Sequence, residues 1–145
     1  MKTHIHVNDL ESTLKQIIQT GSPLKDLEDL TITGSGEPKI ENLAGILRKF
    51  QDLRTAMYVS KLKFCHCEIE SLEDNTFSPF YRLTSLDLSA CKLKSISPGA
   101  FLGLDSLNDL NLSDNSLTTI PEKLFENGDT IKTGFSSNRL AGFFR

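Results

Sequence analysis

Two stretches of the chain align without a gap: LTSLDLSACKLKSISPGAFLGL at 83–104 and LNDLNLSDNSLTTIPEKLFENG at 107–128, offset by 24 residues. A further step back of 24 residues lands on VSKLKFCHCEIESLEDNTFSPF at 59–80. The shared frame puts apolar residues in the first, fourth, sixth, eleventh and fourteenth slots. It puts Cys or Asn in the ninth and Phe in the nineteenth, the column Phe77, Phe101 and Phe125. A worn fourth copy, TIKTGFSSNRLAGFF, carries Asn138 in the ninth slot and has Thr130 and Thr133 at apolar positions. A short repeat of this kind cannot bury its apolar face alone, so neighbouring coils have to stack.

Side chains alternate along a strand. Slots four and six therefore share a face, and Leu62 and Phe64, Leu86 and Leu88, and Leu110 and Leu112 are expected to point inward. Leu93 and Ile96 are expected to bury on the return path, and the Phe column is expected to stack between coils. The frame resembles the leucine-rich-repeat family in its 24-residue, Phe-containing subtype, similar to animal extracellular members of that family. The resemblance implies an α/β repeat, a leucine-rich-repeat solenoid built on a curved parallel β-sheet. It also implies that the ninth-slot side chain points inward and hydrogen-bonds neighbouring turns of backbone. Asn115 and Asn138 suit that slot, and Cys67 and Cys91 are small buried substitutes.

Residues 1–58 keep the rhythm more loosely. THIHV alternates like a strand. NDLESTLKQIIQTG follows with Leu10, Leu14, Ile17 and Ile18 on one helical face, Asn8 or Asp9 as the start cap and Gly21 at the end. LEDLTITG places Leu27, Leu30 and Ile32 in slots one, four and six, and KIENLAGILRKFQDL sets Ile40, Leu43, Leu47 and Phe50 at helical spacing. Strand centres are expected near Ile5, Leu30, Leu62, Leu86, Leu110 and Thr133. The expectation is one solenoid over 1–145. Residues 1–58 form irregular coils with helical returns, and 59–145 form regular repeats with an irregular Phe-spine return, the last one degenerate. The competing arrangement is a separate α/β cap on a short repeat array.

The run Cys65-His66-Cys67 looks at first like a metal site. Cys65 sits in the seventh slot and Cys67 in the ninth, so they should point to opposite sides, and the spacing is not that of paired zinc ligands. No metal or other cofactor is expected. Gly34-Ser35-Gly36 lacks the strand–loop–helix setting and Lys of a phosphate loop and reads as a turn. His66, Asp87 and Ser89 are types found in hydrolase triads. An open sheet face, however, offers neither an oxyanion hole nor shelter from water. No catalytic residues are assigned, and the protein is not expected to be an enzyme.

A net charge of −3 argues against a grip on nucleic acid, and no run is long and apolar enough to span a bilayer. No small-molecule substrate is evident. The resemblance implies recognition of another protein through the strand face. The candidate contact residues are Lys61, Lys63, His66, Ser85, Asp87, Asp109, Asn111 and Asp114, with lysines toward the first regular coils and aspartates further along. Asn111-Leu112-Ser113 is an N-glycosylation sequon. The sequon and the repeat subtype point to a secreted or cell-surface parent protein. Three cysteines and MKTHIHVNDLES, which has no signal-like core, point to the alternative. That alternative is a cytoplasmic adaptor, such as a ubiquitin-ligase substrate-recognition subunit. LAGFFR reads as mid-coil, and the sequence is expected to be a piece of a longer chain.

Overall fold

The computed structural model describes residues 2–20, 28–35, 39–52, 58–121, 124 and 132–134. Six strands form one parallel sheet: β1 (Lys2–His6), β2 (Asp29–Thr33), β3 (Lys61–Cys65), β5 (Ser85–Asp87), β7 (Asp109–Asn111) and β8 (Lys132–Gly134). Each strand lies beside its predecessor in this series, as stacking of successive coils demands. On the return side, β4 (Ser71–Leu72) and β6 (Ser95–Ile96) pair in a second, two-stranded parallel sheet.

The register follows the 24-residue phase. Leu30, Leu62, Leu86, Leu110 and Thr133 form one row across the main sheet. Thr3 continues that row into β1, while Ile5 stands opposite Ile32 and Phe64. The expected strand centre at Ile5 is therefore two positions late, although its inward direction is correct. Thr3 and Ile5 lie on the same side of a pleated strand, so alternation alone does not choose between them.

Leu62, Phe64, Leu86, Leu88, Leu110 and Leu112 are buried. Ile69, Leu93 and Leu117 close the core from the return path, with Leu72 and Ile96 behind them. The aromatic column runs through it. Phe77 stacks on Phe101 with ring centroids 5.8 Å apart, and Phe64 meets Phe77 edge-on at 6.2 Å. Phe80 packs on Phe50 at 5.3 Å, which ties the regular coils to the helical coil before them. Phe125, Asn138, Phe143 and Phe144 lie outside the described residues.

The first return path is a helix, α1 (Leu10–Thr20), entered through a 3-10 turn at Val7–Asp9. The expected caps Asn8 and Asp9 lie inside that turn. The His6 imidazole Nδ1 accepts the Asn8 N–H at 3.1 Å, and the Ser12 hydroxyl donates to the Asp9 carbonyl. Gly21 lies outside the described residues. The second return is shorter than its apolar spacing suggests: α2 spans Leu43–Arg48 and runs into a 3-10 turn at Lys49–Asp52. Asn42 starts it by accepting the Gly45 N–H at 3.0 Å. Ile40 precedes the helix because its N–H is bound to the Glu68 carbonyl of the next coil.

Candidate functional site

Among the described residues, three regular coils leave their strands through a residue with positive φ: His66 at 55°, Ala90 at 53° and Asp114 at 57°, all in the eighth slot. His66 and Asp114 are therefore turn residues at the carboxyl ends of the strands, one step beyond the flat face where the sequence reading placed them. Asp and His tolerate this conformation better than most residues.

The remaining candidates line up on the strand face. Lys61, Ser85 and Asp109 form one row, and Lys63, Asp87 and Asn111 form the next. The same register adds Asp29 beside Lys61 and Thr31 beside Lys63, and it puts His4 beside Thr31. These three are not among the candidates the repeat frame picks out, although the alternation of THIHV and LEDLTITG carries them. By register, the outer row reads Asp29, Lys61, Ser85 and Asp109, with Asp29 and Lys61 side by side. Opposite charges on neighbouring strands stabilise a sheet modestly.

Two of the candidates also hold the backbone. One Asp87 oxygen, Oδ1, accepts the Ser89 N–H at 2.9 Å, and the other, Oδ2, lies 3.9 Å from Lys63 Nζ. Asn111 Oδ1 accepts both the Ser113 N–H at 3.0 Å and the Ser113 hydroxyl at 2.6 Å. Both side chains lock the strand exit. The Asp87 carboxylate is thus committed to a turn and a lysine. Asn111 is half-buried, and the sequon's Ser113 is buried.

The cysteines separate as slot seven and slot nine require. Cys65 is half-buried on the strand face, and Cys67 and Cys91 are in the core. The Cys67 thiol donates to the carbonyls of Cys65 and Ile32 at 3.4 and 3.6 Å. Burial pushes that thiol up to about 11 and raises Cys91 further. Such thiols stay protonated and unreactive near neutral pH. Among the described residues, no three His, Cys, Asp or Glu side chains gather as a group able to hold a metal ion.

On the return side, Glu70 lies 3.3 Å from both Lys39 and Lys94, spanning three coils. The Lys39 hydrogen bond, then that of Lys94, holds its carboxyl below the usual carboxylate range. No described helix is long and apolar enough to cross a membrane.

A family model described as Leucine rich repeat matches residues 58–117 and 81–128. A leucine-rich repeat-containing G-protein coupled receptor of Rattus norvegicus is 29% identical over 111 residues, 76% of this chain and 12% of the receptor. An uncharacterized leucine-rich repeat-containing protein of Schizosaccharomyces pombe is 43% identical over 65 residues, 45% of this chain and 10% of that protein. Chaoptin of Drosophila melanogaster is 40% identical over 65 residues, 44% of this chain and 5% of its own length. The chain thus spans about an eighth or less of the relatives it matches.

Proposed function

The chain is a leucine-rich-repeat protein, its repeats matched over residues 58–128, and from that premise we propose that it is a protein-binding module whose strand face recognises a partner protein. The observation that carries this reading is the registered ladder Lys61–Ser85–Asp109 beside Lys63–Asp87–Asn111. These positions sit at strand spacing, about 4.8 Å apart, on backbone held by a continuous apolar core. Such a ladder presents charges to an extended surface with little ordering left to do on binding. His66 and Asp114 extend it at the strands' carboxyl ends. The open face and the structural commitments of Asp87 suit recognition better than catalysis, and no catalytic role is assigned.

The parent protein is proposed to be secreted or displayed at the cell surface. Its support is the likeness to a G-protein coupled receptor over 76% of this chain, together with the Asn111 sequon. A glycan on Asn111 would stand on the strand face, and in a glycosylated parent Asn111 drops out of the contact ladder, which then rests on Lys61, Lys63, Ser85, Asp87 and Asp109. A cytoplasmic adaptor is the second reading. It is favoured by three free thiols among the described residues, two of them buried, because thiols persist in reducing compartments. Residues 1–145 are proposed to form one solenoid, since the main sheet runs unbroken from β1 to β8.

The test compares three proteins in quantitative affinity capture, first against secreted and surface proteins and then against cytosolic ones: wild type, Lys61→Glu with Lys63→Glu, and Lys94→Glu on the return side. A partner held by wild type and Lys94→Glu but lost from the strand-face variant supports the reading. A partner held equally by all three, or lost only with Lys94→Glu, rules the strand face out as the binding surface.

A further inference from the structure

A cleft of about 440 Å³ opens where β2 and β3 end and the coil after β5 turns away. Its volume falls in the range of small-ligand sites. Gly34, Cys67, His66, Glu68, Ala90 and Lys92 line it. A Cβ at Gly34 would stand 2.7 Å from the His66 carbonyl oxygen and 3.3 Å from Cys67 Cα. Two coils meet there backbone to backbone.

Ala90 lines the opening. In the eighth-slot row, His66 and Asp114 carry side chains that favour left-handed backbone, whereas Ala90 holds φ 53° without that help. Lys92, two residues on, is also left-handed, at 58°. The eighth-slot row thus holds a small residue, kept at conformational expense, between two larger ones. Strained backbone of this kind concentrates at functional sites.

The charges select the occupant. Lys92 Nζ lies 3.7 Å from Glu68 Oε2, a long contact that leaves the ammonium with donors to spare. The Lys92 side chain is 66% exposed while that of Glu68 is 20% exposed, so the cation stands at the mouth and the carboxylate lies behind it. An arriving cation would have to displace Lys92 to reach Glu68. An arriving carboxylate meets Lys92 directly, with the His66 ring as a second donor.

We propose that this cleft receives a carboxylate side chain from an extended segment of the bound partner, with Lys92 as counter-charge and His66 beside it. The choice of a peptide carboxylate rests on the protein-binding reading, but the place and charge preference of the cleft do not.

The test is a heteronuclear NMR titration of the isotope-labelled chain with three capped tripeptides, acetyl-Gly-Glu-Gly-amide and its Gln and Lys counterparts. The Glu peptide is expected to give saturating shifts at the amides of Gly34, Ser35, His66, Ala90 and Lys92. Lys92→Gln should weaken its binding about threefold, and Glu68→Gln should tighten it by a similar factor, the scale of an exposed ion pair. Opposite signs from two neighbouring substitutions would not follow from a shared loss of structure, and the variants' own spectra report their folding. The proposal is overturned if the Lys or Gln peptide binds as well as the Glu peptide, if the shifts map elsewhere, or if both variants move affinity the same way. Should the peptide fail here while Lys61→Glu with Lys63→Glu still abolishes partner capture, the cleft is refuted and the strand-face reading stands. The converse pattern refutes the strand face and supports the cleft.

Discussion

The Asn115 side chain reaches back one coil to Cys91: its Oδ1 accepts the Cys91 N–H at 2.9 Å and the Leu93 N–H at the same distance. Its Nδ2 donates to the carbonyls of Leu88, Leu112 and Ser113 at 2.9, 3.0 and 3.1 Å. One buried carboxamide thus satisfies backbone groups of two coils. Cys91, in the same slot of the preceding coil, offers only thiol contacts to Ser89 and Phe64 carbonyls at 3.4 and 3.9 Å.

Truncating Asn115 should therefore hurt far more than truncating Cys91. Asn115→Ala strands several buried backbone groups and is expected to destabilise by about 3 kcal/mol. Cys91→Ala removes a small apolar volume and is expected to lose about 1 kcal/mol. Urea denaturation of both variants decides the matter, and equal losses would show that the ninth-slot ladder is not what joins the coils.

Phe77 is fully buried between Phe64 and Phe101. Phe77→Ala should lower stability by about 4 kcal/mol, the range for a core aromatic. Phe77→Leu, which keeps most of the apolar contact, should lose less than half of that. A loss under about 1 kcal/mol for Phe77→Ala in thermal or urea unfolding would mean the spine does not carry the stack.

The three thiols should separate in a labelling experiment. Iodoacetamide on the native protein is expected to modify Cys65, with Cys67 and Cys91 reacting only in denaturant; mass spectrometry of the digest reads this directly. The same burial gives a pH signature. The folded Cys67 thiol ionises near 11, whereas an ordinary thiol ionises near 9, so above that value the unfolded chain holds fewer protons than the folded one. Stability is then full below about pH 9 and declines as pH rises toward 11. Comparing the denaturation midpoints of wild type and Cys67→Ala from pH 8 to 11 isolates this contribution, and the variant should show the shallower decline.

Lys63 and Asp87 touch, yet they should not respond alike to substitution. Lys63→Ala removes one side of an exposed contact at 3.9 Å and should change stability by less than about 0.5 kcal/mol. Asp87→Ala also frees the Ser89 N–H and should lose about 1 kcal/mol. If urea denaturation shows the two losses to be equal, the strand-exit lock is not contributing. Charge reversal at Lys63 consequently reads binding cleanly, whereas reversal at Asp87 mixes binding with folding.

The 24-residue phase was enough to place the inward residues Leu62 to Leu112, the ninth-slot residues Cys67, Cys91 and Asn115 and the Phe77–Phe101 stack, because each slot faces the same environment in each of these coils. It failed where that repetition lapses. β1 has Thr3 where later coils have leucine, so its register was read two residues late. The α1 entry is held by His6, a residue type outside the common capping set. α2 is short because the Ile40 backbone joins the next coil instead of a helix. The strand-face rows were legible for the regular coils and incomplete for β1 and β2. The cleft was not legible, since its lining includes left-handed backbone at Ala90 and Lys92, which neither residue type signals.

The central claim is that a partner protein lies on the strand face. A photo-crosslinking residue at Ser85, on that face, and another at Ser95, on the return side, tests it most directly. In the presence of partner-containing extract, the account predicts a light-dependent adduct of defined mass from position 85 and none from position 95. An adduct from position 95 alone would contradict it, and would move the binding surface to the opposite side of the solenoid.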